Sequence, residues 1–164
     1  MTAPPKPILF IAFANDLENP ERNLGGLHSE FDNIHAAFSS VTGADDSCEL
    51  LVNDACTGGS LVEPFYRNQV VIFHYAGHAS PDSLLLQTSD GHNAPASRQR
   101  FEEFLALQSR LRLVFLNACM TREWAAALVS CGVCVVATSR CIEDSIASKF
   151  ANVFYNQSAQ GRTI

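Results

Sequence analysis

The chain has 164 residues, of which 47% are hydrophobic and 17% charged, and its formal net charge is −6 at pH 7. This length suits one domain with a substantial core, and the composition is that of a folded rather than a disordered chain. The acidic charge, without any basic stripe, argues against direct binding to nucleic acid. No apolar run approaches the ~20 residues of a membrane span, and the lead-in before the first strand is polar and proline-rich. We therefore expect a cytoplasmic protein without signal peptide or membrane contact.

Strand and helix patterns alternate along the first half of the chain. The apolar run at residues 8–14 is typical of a buried strand, and a polar loop at 15–26 follows it. Residues 27–40 are predicted to form a helix with one apolar face, made by Leu27, Phe31, Ile34 and Phe38. A short strand at 48–52 and a short helix at 60–67 come next.

The second half continues this alternation. The predicted elements are a strand at 70–75, a small hairpin at 84–91, a helix at 101–107, a strand at 113–119, a helix at 124–129, a strand at 133–138 and a helix at 143–159. The apolar side of the last helix is predicted to contain Ile146, Phe150, Val153 and Phe154. Alternation of this kind predicts an α/β fold, a doubly wound, mostly parallel sheet with helices on both faces.

Two strands end in residues with chemical reactivity. The strand that starts at Val70 leads to Gly77 and His78, and the strand that starts at Leu113 leads to Cys119. Parallel neighbouring strands end at the same rim of a sheet, where the reactive crevice of such folds lies. A thiol beside an imidazole is the minimum that nucleophilic catalysis by cysteine requires. A cysteine that only packs in the core is the alternative interpretation.

The position of Cys119 favours the catalytic interpretation. It follows a strand and precedes a helix predicted to begin near Thr121, and a helix N-terminus lowers the pKa of a nearby thiol. The backbone N–H groups of Gly77 and Cys119 are candidates for an oxyanion hole.

The remaining histidines and cysteines suggest no metal site. His74 and His78 lie some 13 Å apart along a strand, too far to share one metal, so we expect His74 to be a hydrogen-bonded core residue. Cys131 and Cys134 form a CxxC sequence between a helix and a strand, the reverse of a thioredoxin-like order, and are predicted to be packing residues. His92, in a polar loop, is predicted to be exposed. All six cysteines are expected to be free thiols in a reducing compartment.

Residues 73–78 and 114–121 closely resemble the CHAT family, the caspase-like cysteine peptidases of the clan that includes caspases, separases and gingipains. Residues 7–16, 137–139 and 150–155 are similar to the family's first strand and loop and to its later strand and helix. Two positions depart from the common pattern. Ala79 stands where many members have a second glycine, and Met120 stands where a serine is common.

The resemblance implies a caspase-like, flavodoxin-like three-layer α/β/α sandwich. It implies that residues 1–164 form a single CHAT peptidase domain, which is a segment of a longer polypeptide. It also implies a cysteine endopeptidase that needs no cofactor, with His78 as base and Cys119 as nucleophile. The expected substrate is a protein partner in a bacterial-type signalling or defence pathway, under the control of a fused or associated sensor domain.

Two other functions remain open. A catalytically silent caspase-like module for protein recognition or assembly would share the fold, although the presence of both His78 and Cys119 favours the enzyme. A flavodoxin-like nucleotide binder ranks lower, because the chain has no glycine-rich phosphate loop.

Substrate preference is suggested by the same resemblance. In related families an acidic residue after the first strand, sometimes with another two positions before the cysteine, receives a basic side chain of the substrate. Asp16 occupies the first position and Asn117 the second, while Asp144 is a further candidate. A basic residue before the scissile bond is therefore expected, and solvated loop carboxylates are the alternative for both aspartates.

Overall fold

A computed structural model describes residues 5–39, 48–67 and 69–161 of the chain. Its strands are β1 (Ile8–Ala14), β2 (Glu49–Asn53), β3 (Val70–Gly77), β4 (Ser83–Gln87), β5 (Asn93–Ser97), β6 (Leu113–Asn117) and β7 (Cys134–Val136). Its helices are α1 (Leu27–Ser39), α2 (Gly58–Val62), α3 (Arg98–Ala106), α4 (Arg122–Ser130) and α5 (Asp144–Ala159), with short 3-10 segments at Pro20–Arg22 and Glu63–Arg67. The predicted α/β alternation is confirmed.

The central sheet contains five parallel strands in the order β2–β1–β3–β6–β7. The strand order reverses between β1 and β3, which makes the carboxyl ends of these strands the switch point of the sheet. Ala14 pairs with Gly77, and Ala76 pairs with Asn117, so β1, β3 and β6 end at nearly the same level. This register brings the segments after the three strands to one rim, and the predicted caspase-like, flavodoxin-like architecture is confirmed.

The sheet is covered on both faces by apolar side chains. Every residue of β1 is buried, because alternate residues enter the cores on opposite faces of the sheet. One core contains Phe10, Phe73 and Trp124, and the other contains Ile11 and Phe115. The continuous apolar run at residues 8–14 reflects this burial on both sides.

A two-stranded antiparallel hairpin, β4–β5, lies beside the central sheet, as the sequence predicted. The Tyr75 hydroxyl on β3 lies 2.8 Å from the carbonyl oxygen of His78 and 2.7 Å from that of Leu85 on β4. The amide of Leu85 also donates to the His78 carbonyl at 2.9 Å. The hairpin therefore fixes the backbone at the point where the chain leaves β3.

Two details differ from the sequence prediction. In α5, Ile146, Phe150 and Val153 are 52–60% exposed, and the buried side contains Ala147, Ala151, Phe154 and Tyr155. The two alanines are small enough to let α5 approach α1 and the sheet closely, so they occupy the face that the larger apolar residues were expected to fill. The strand predicted at 133–138 is limited to Cys134–Val136.

Within the described ranges, no helix combines the length and the apolarity that crossing a bilayer requires.

Removal of the Phe73 ring should destabilise the fold strongly. The ring is fully buried and lies 5.6–5.7 Å, centroid to centroid, from those of Phe10, Phe65 and Phe101. Phe73→Ala is expected to lower the free energy of unfolding by about 3–5 kcal/mol, measured by urea denaturation. Phe150→Ala, on the exposed side of α5, is the matched control and should cost about 1 kcal/mol or less. Equal losses for the two variants would contradict this description of the core.

Candidate active site

A cavity of about 130 Å³ lies at the carboxyl ends of β3 and β6. Its lining is Leu24, Leu27, Glu30, Ala76, Gly77, His78, Asn117, Ala118, Cys119, Ile142, Asp144 and Ala147. His78 and Cys119, the two residues predicted from the sequence to react together, both line this one cavity. Gly77, Asn117 and Asp144 line it as well.

The His78 ring is oriented by a backbone carbonyl. Its Nε2 lies 2.6 Å from the carbonyl oxygen of Arg22, so this nitrogen carries the proton and donates it. In the neutral ring, Nδ1 is then the nitrogen with a free lone pair, available to accept a proton. The backbone of His78 is held from the other side by Tyr75 and Leu85.

Gly77, just before His78, is placed where a side chain does not fit. A Cβ at this position would lie 2.6 Å from the carbonyl oxygen of Ala14 and 2.5 Å from the Tyr75 hydroxyl. Close approach of β1 to the end of β3 thus requires glycine here.

Asp16 fixes the loop that supplies the Arg22 carbonyl. The Asp16 carboxylate accepts hydrogen bonds from the Asn93 side chain at 2.7 Å and the Asn19 amide at 3.1 Å, and it lies 3.0 Å from the Arg22 guanidinium. The bond from Asn93, followed by those from Asn19 and Arg22, lowers the pKa of Asp16 below its ordinary value. Asp16 lies outside the cavity lining and acts on it through the position of Arg22.

Cys119 occupies a tight turn two residues beyond β6. Met120 has a φ of 54°, in the left-handed region that side-chain-bearing residues seldom adopt. The Thr121 hydroxyl lies 3.4 Å from the Ala118 carbonyl oxygen and accepts a hydrogen bond from the Thr138 amide at 3.0 Å. The Thr138 hydroxyl also donates to the Ala118 carbonyl. These bonds hold the turn against the segment that follows β7.

The expected lowering of the Cys119 pKa is wrong. Burial raises the pKa of this thiol above its ordinary value of 9.0, and the neighbouring Cys141 thiol raises it further, against an opposing contact with the Ile142 carbonyl. Helix α4 begins only at Arg122, and its terminus does not offset the burial. Cys119 is consequently a neutral thiol near pH 7.

A buried polar network lies under the cavity, centred on Glu30, which is only 1% exposed. Its Oε1 lies 2.8 Å from Nε2 of His74 and accepts a hydrogen bond from the Asn117 side chain at 2.7 Å. Its Oε2 accepts one from the Ser148 hydroxyl at 3.3 Å. Nδ1 of His74 lies 3.0 Å from the Tyr155 hydroxyl, which confirms His74 as a hydrogen-bonded core residue.

Glu30 was not among the site residues predicted from the sequence. The sequence signal was its spacing, because Glu30 comes three residues after Leu27 and four before Ile34, on the side of α1 that faces the core. A single carboxylate in such an apolar stripe indicates a charged group that is buried and paired with other polar side chains.

Asp144 is the second carboxylate of the cavity. It begins α5, and its Oδ2 accepts a hydrogen bond from the Gly26 amide at 2.9 Å, just before α1. No lysine or arginine belongs to the described cavity lining. The carboxylates of Glu30 and Asp144 therefore favour a positively charged group in the cavity.

A larger cavity of about 450 Å³ lies on the other side of Leu24 and Leu27, which line both spaces. Its walls include Phe13 and Phe31 but neither His78 nor Cys119. The larger space is thus not the one that contains the reactive pair.

The remaining cysteines and His92 lie away from this cavity. Cys131 and Cys134 stand between α4 and β7 as predicted, but both are exposed, so the expectation that they pack in the core is wrong. Strand β7 is too short to cover these two side chains.

His92 is exposed, as predicted, and its Nδ1 lies 2.8 Å from a Glu18 carboxylate oxygen. In the part of the chain that the structure describes, no group of three or more His, Cys, Asp or Glu side chains is arranged to hold a metal ion.

Loss of the Glu30 carboxylate should destabilise the protein. Glu30→Ala leaves the buried His74 and Asn117 and the half-buried Ser148 without their partner and is expected to cost about 3–5 kcal/mol in urea denaturation. Asp32→Asn, on the exposed side of the same helix, is the matched control and should change stability by about 0.5 kcal/mol or less. Near-equal stability of wild type and Glu30→Ala would show that the network contributes little.

The family model described as the CHAT domain matches residues 3–164. No curated protein matches the chain. The match extends over the whole central sheet, the hairpin and the cavity at the carboxyl ends of β3 and β6. The chain therefore belongs to the CHAT-domain family, which is related to the caspase-like cysteine peptidases.

Proposed function

We propose that this protein is a cysteine endopeptidase in which His78 is the general base and Cys119 the nucleophile. The observation that carries the proposal is that both residues line one cavity at the carboxyl ends of the neighbouring parallel strands β3 and β6. The ring of His78 is oriented through its Nε2 by the Arg22 carbonyl, an arrangement that suits a catalytic base. Family membership supports the same class of chemistry.

Because the thiol is neutral, its proton is removed as it attacks. Nδ1 of His78 accepts the proton from Cys119 while the sulfur bonds to the substrate carbonyl carbon. The backbone N–H groups of Gly77 and Cys119 stabilise the oxyanion of the tetrahedral intermediate. The protonated His78 then gives its proton to the departing amine, which leaves a thioester on Cys119. Water, deprotonated by His78, hydrolyses the thioester and regenerates the thiol.

The proposed substrate has a basic residue before the scissile bond. The cavity of about 130 Å³ is smaller than a typical ligand pocket and suits one side chain. The Asp144 and Glu30 carboxylates supply negative charge, and the Asn117 side chain contributes a polar wall. Asp16 supports this recognition indirectly, by holding the loop at Arg22.

The proposed physiological substrate is a protein partner in a bacterial-type signalling or defence pathway in the cytoplasm. A fused or associated sensor domain would control cleavage. This part of the proposal rests on family membership alone. A catalytically silent module for protein recognition is the alternative, and the raised pKa of Cys119 is the observation that favours it.

Cleavage of a peptide library by the full-length protein should require both members of the pair. Cys119→Ala is expected to abolish cleavage, and His78→Ala should lower kcat/KM about 10²–10⁴-fold, because the general base is lost. Cys134→Ser, a substitution of an exposed thiol away from the cavity, is the matched control and should retain wild-type activity. Equal cleavage by wild type and Cys119→Ala would rule out this mechanism, and absence of cleavage by any form would favour the recognition module.

Neutralising Asp144 should weaken the preference for basic residues. In Asp144→Asn the amide oxygen still accepts the bond from Gly26, while the charge is removed. The ratio of kcat/KM for an arginine substrate to that for its glutamine analogue should fall about 10-fold or more. Glu143→Gln, at the adjacent exposed residue, is the control and should leave this ratio unchanged. Equal ratios for all three proteins would remove Asp144 from substrate recognition.

A further inference from the structure

A second thiol lies beside the nucleophile. Cys141 is exposed and free, on the irregular segment between β7 and α5. The Sγ atom of Cys119 lies 4.0 Å from the carbonyl oxygen of Ile142, the residue directly after Cys141. Cys119 itself is half-buried and free. The structure thus places the partly shielded Cys119 thiol against the main chain next to the exposed Cys141, at one side of the cavity.

We propose that Cys119 and Cys141 form a reversible disulfide that blocks the candidate active site under oxidising conditions. The inhibitory consequence rests on the proposed peptidase function, whereas formation of the disulfide does not. After burial, the Cys141 thiol is a further cause of the raised pKa of Cys119, which is consistent with their proximity.

The backbone around Cys141 permits the small adjustment that a disulfide requires. Residues 137–143 contain no helix or strand, so a change in the position of Cys141 breaks no regular hydrogen-bonding pattern. The Cys119 turn, by contrast, is held firmly by Thr121 and Thr138. Disulfide geometry is specific, and one adaptable partner beside one fixed partner is a suitable combination.

Glutathione disulfide is a sufficient oxidant. The thiolate of exposed Cys141 attacks one sulfur of glutathione disulfide, which forms a mixed disulfide and releases one glutathione thiolate. The Cys119 sulfur then attacks the Cys141 sulfur, the proton of the neutral Cys119 thiol passes to the departing glutathione thiolate, and the second glutathione is released. Two protein thiols are oxidised by two electrons in total, and one glutathione disulfide is reduced to two glutathione molecules. Excess reduced glutathione or dithiothreitol reverses both steps.

The other cysteines are poorer partners for Cys119. Cys48 and Cys56 are outside the cavity lining and not adjacent to it in the chain, and burial raises the pKa of both thiols, that of Cys56 to about 12. Cys131 follows α4 and Cys134 begins β7, and both are exposed, but neither is adjacent in the chain to a residue of the cavity lining. They provide an internal control for thiols that are accessible but not adjacent to the nucleophile.

The disulfide would act on the cavity in two ways. It converts the nucleophilic sulfur of Cys119 to an unreactive form. It also ties down Cys141, whose neighbour Ile142 is part of the cavity wall. Entry of a substrate side chain and attack on the peptide are both prevented until the bond is reduced.

The test is disulfide mapping of the full-length protein equilibrated with defined ratios of oxidised to reduced glutathione. After acid quenching and alkylation with N-ethylmaleimide, mass spectrometry of the digest should find the Cys119–Cys141 linked peptide. Peptidase activity should fall in parallel with this peptide and return with dithiothreitol. In Cys141→Ser, loss of activity, relative to its own reduced form, should need an oxidised-to-reduced ratio at least about 10-fold higher, because an intramolecular partner is missing. Cys131→Ser/Cys134→Ser should behave as wild type.

Each outcome is decisive for one of the two proposals. Glutathione attached to Cys119 with Cys141 still alkylatable would overturn the disulfide, as would equal oxidant sensitivity of wild type and Cys141→Ser. If the linked peptide forms but the reduced protein cleaves nothing, the disulfide stands and the peptidase proposal fails. Cys141→Ala and a comparison of urea unfolding midpoints guard against effects of the serine on folding.

Discussion

The buried carboxylate of Glu30 is the constraint on which the geometry of the site depends. Removal of a charge from water costs several kcal/mol unless partners replace the lost hydration. Here the partners come from three other elements, His74 on β3, Asn117 on β6 and Ser148 on α5, while Glu30 itself belongs to α1. The carboxylate has all of these partners only when the four elements are correctly placed. The packing that buries Glu30 therefore also sets the positions of the strand ends.

The reactive residues lie just beyond the points that this network fixes. His78 comes one residue after the end of β3, the strand that contains His74, and Cys119 follows Asn117 by two residues. From there each is held by its own surroundings, His78 by the loop at Arg22 and by Tyr75, and Cys119 by the threonine bonds of its turn. Two independently supported segments therefore converge on a single small cavity. The neutral state of the Cys119 thiol follows from the same compact packing and determines the order of proton transfer in the proposed mechanism.

Much of the fold was predictable because parallel strands buried on both faces have an unmistakable composition. The runs that become β1, β3 and β6 each end at the observed rim, and this was sufficient to select His78 and Cys119 as candidates. Properties that depend on distant neighbours were not predictable in the same way. The role of Glu30 required knowledge of partners on other elements, and the Cys119 pKa depends on burial and on Cys141. The buried side of α5 was misjudged because close helix packing selects alanine over larger apolar residues.

The Arg22 carbonyl that orients His78 has a consequence for tolerance to mutation. A main-chain oxygen is present whatever side chain occupies the position, so alanine scanning leaves this contact chemically intact. Variation at Arg22 acts only through the ion pair with Asp16 and the path of the loop. Insertions, deletions or proline substitutions at residues 15–26 displace the oxygen itself and disturb the histidine directly. A change in the length or backbone path of this loop is therefore expected to disturb the site more than substitution of the Arg22 side chain.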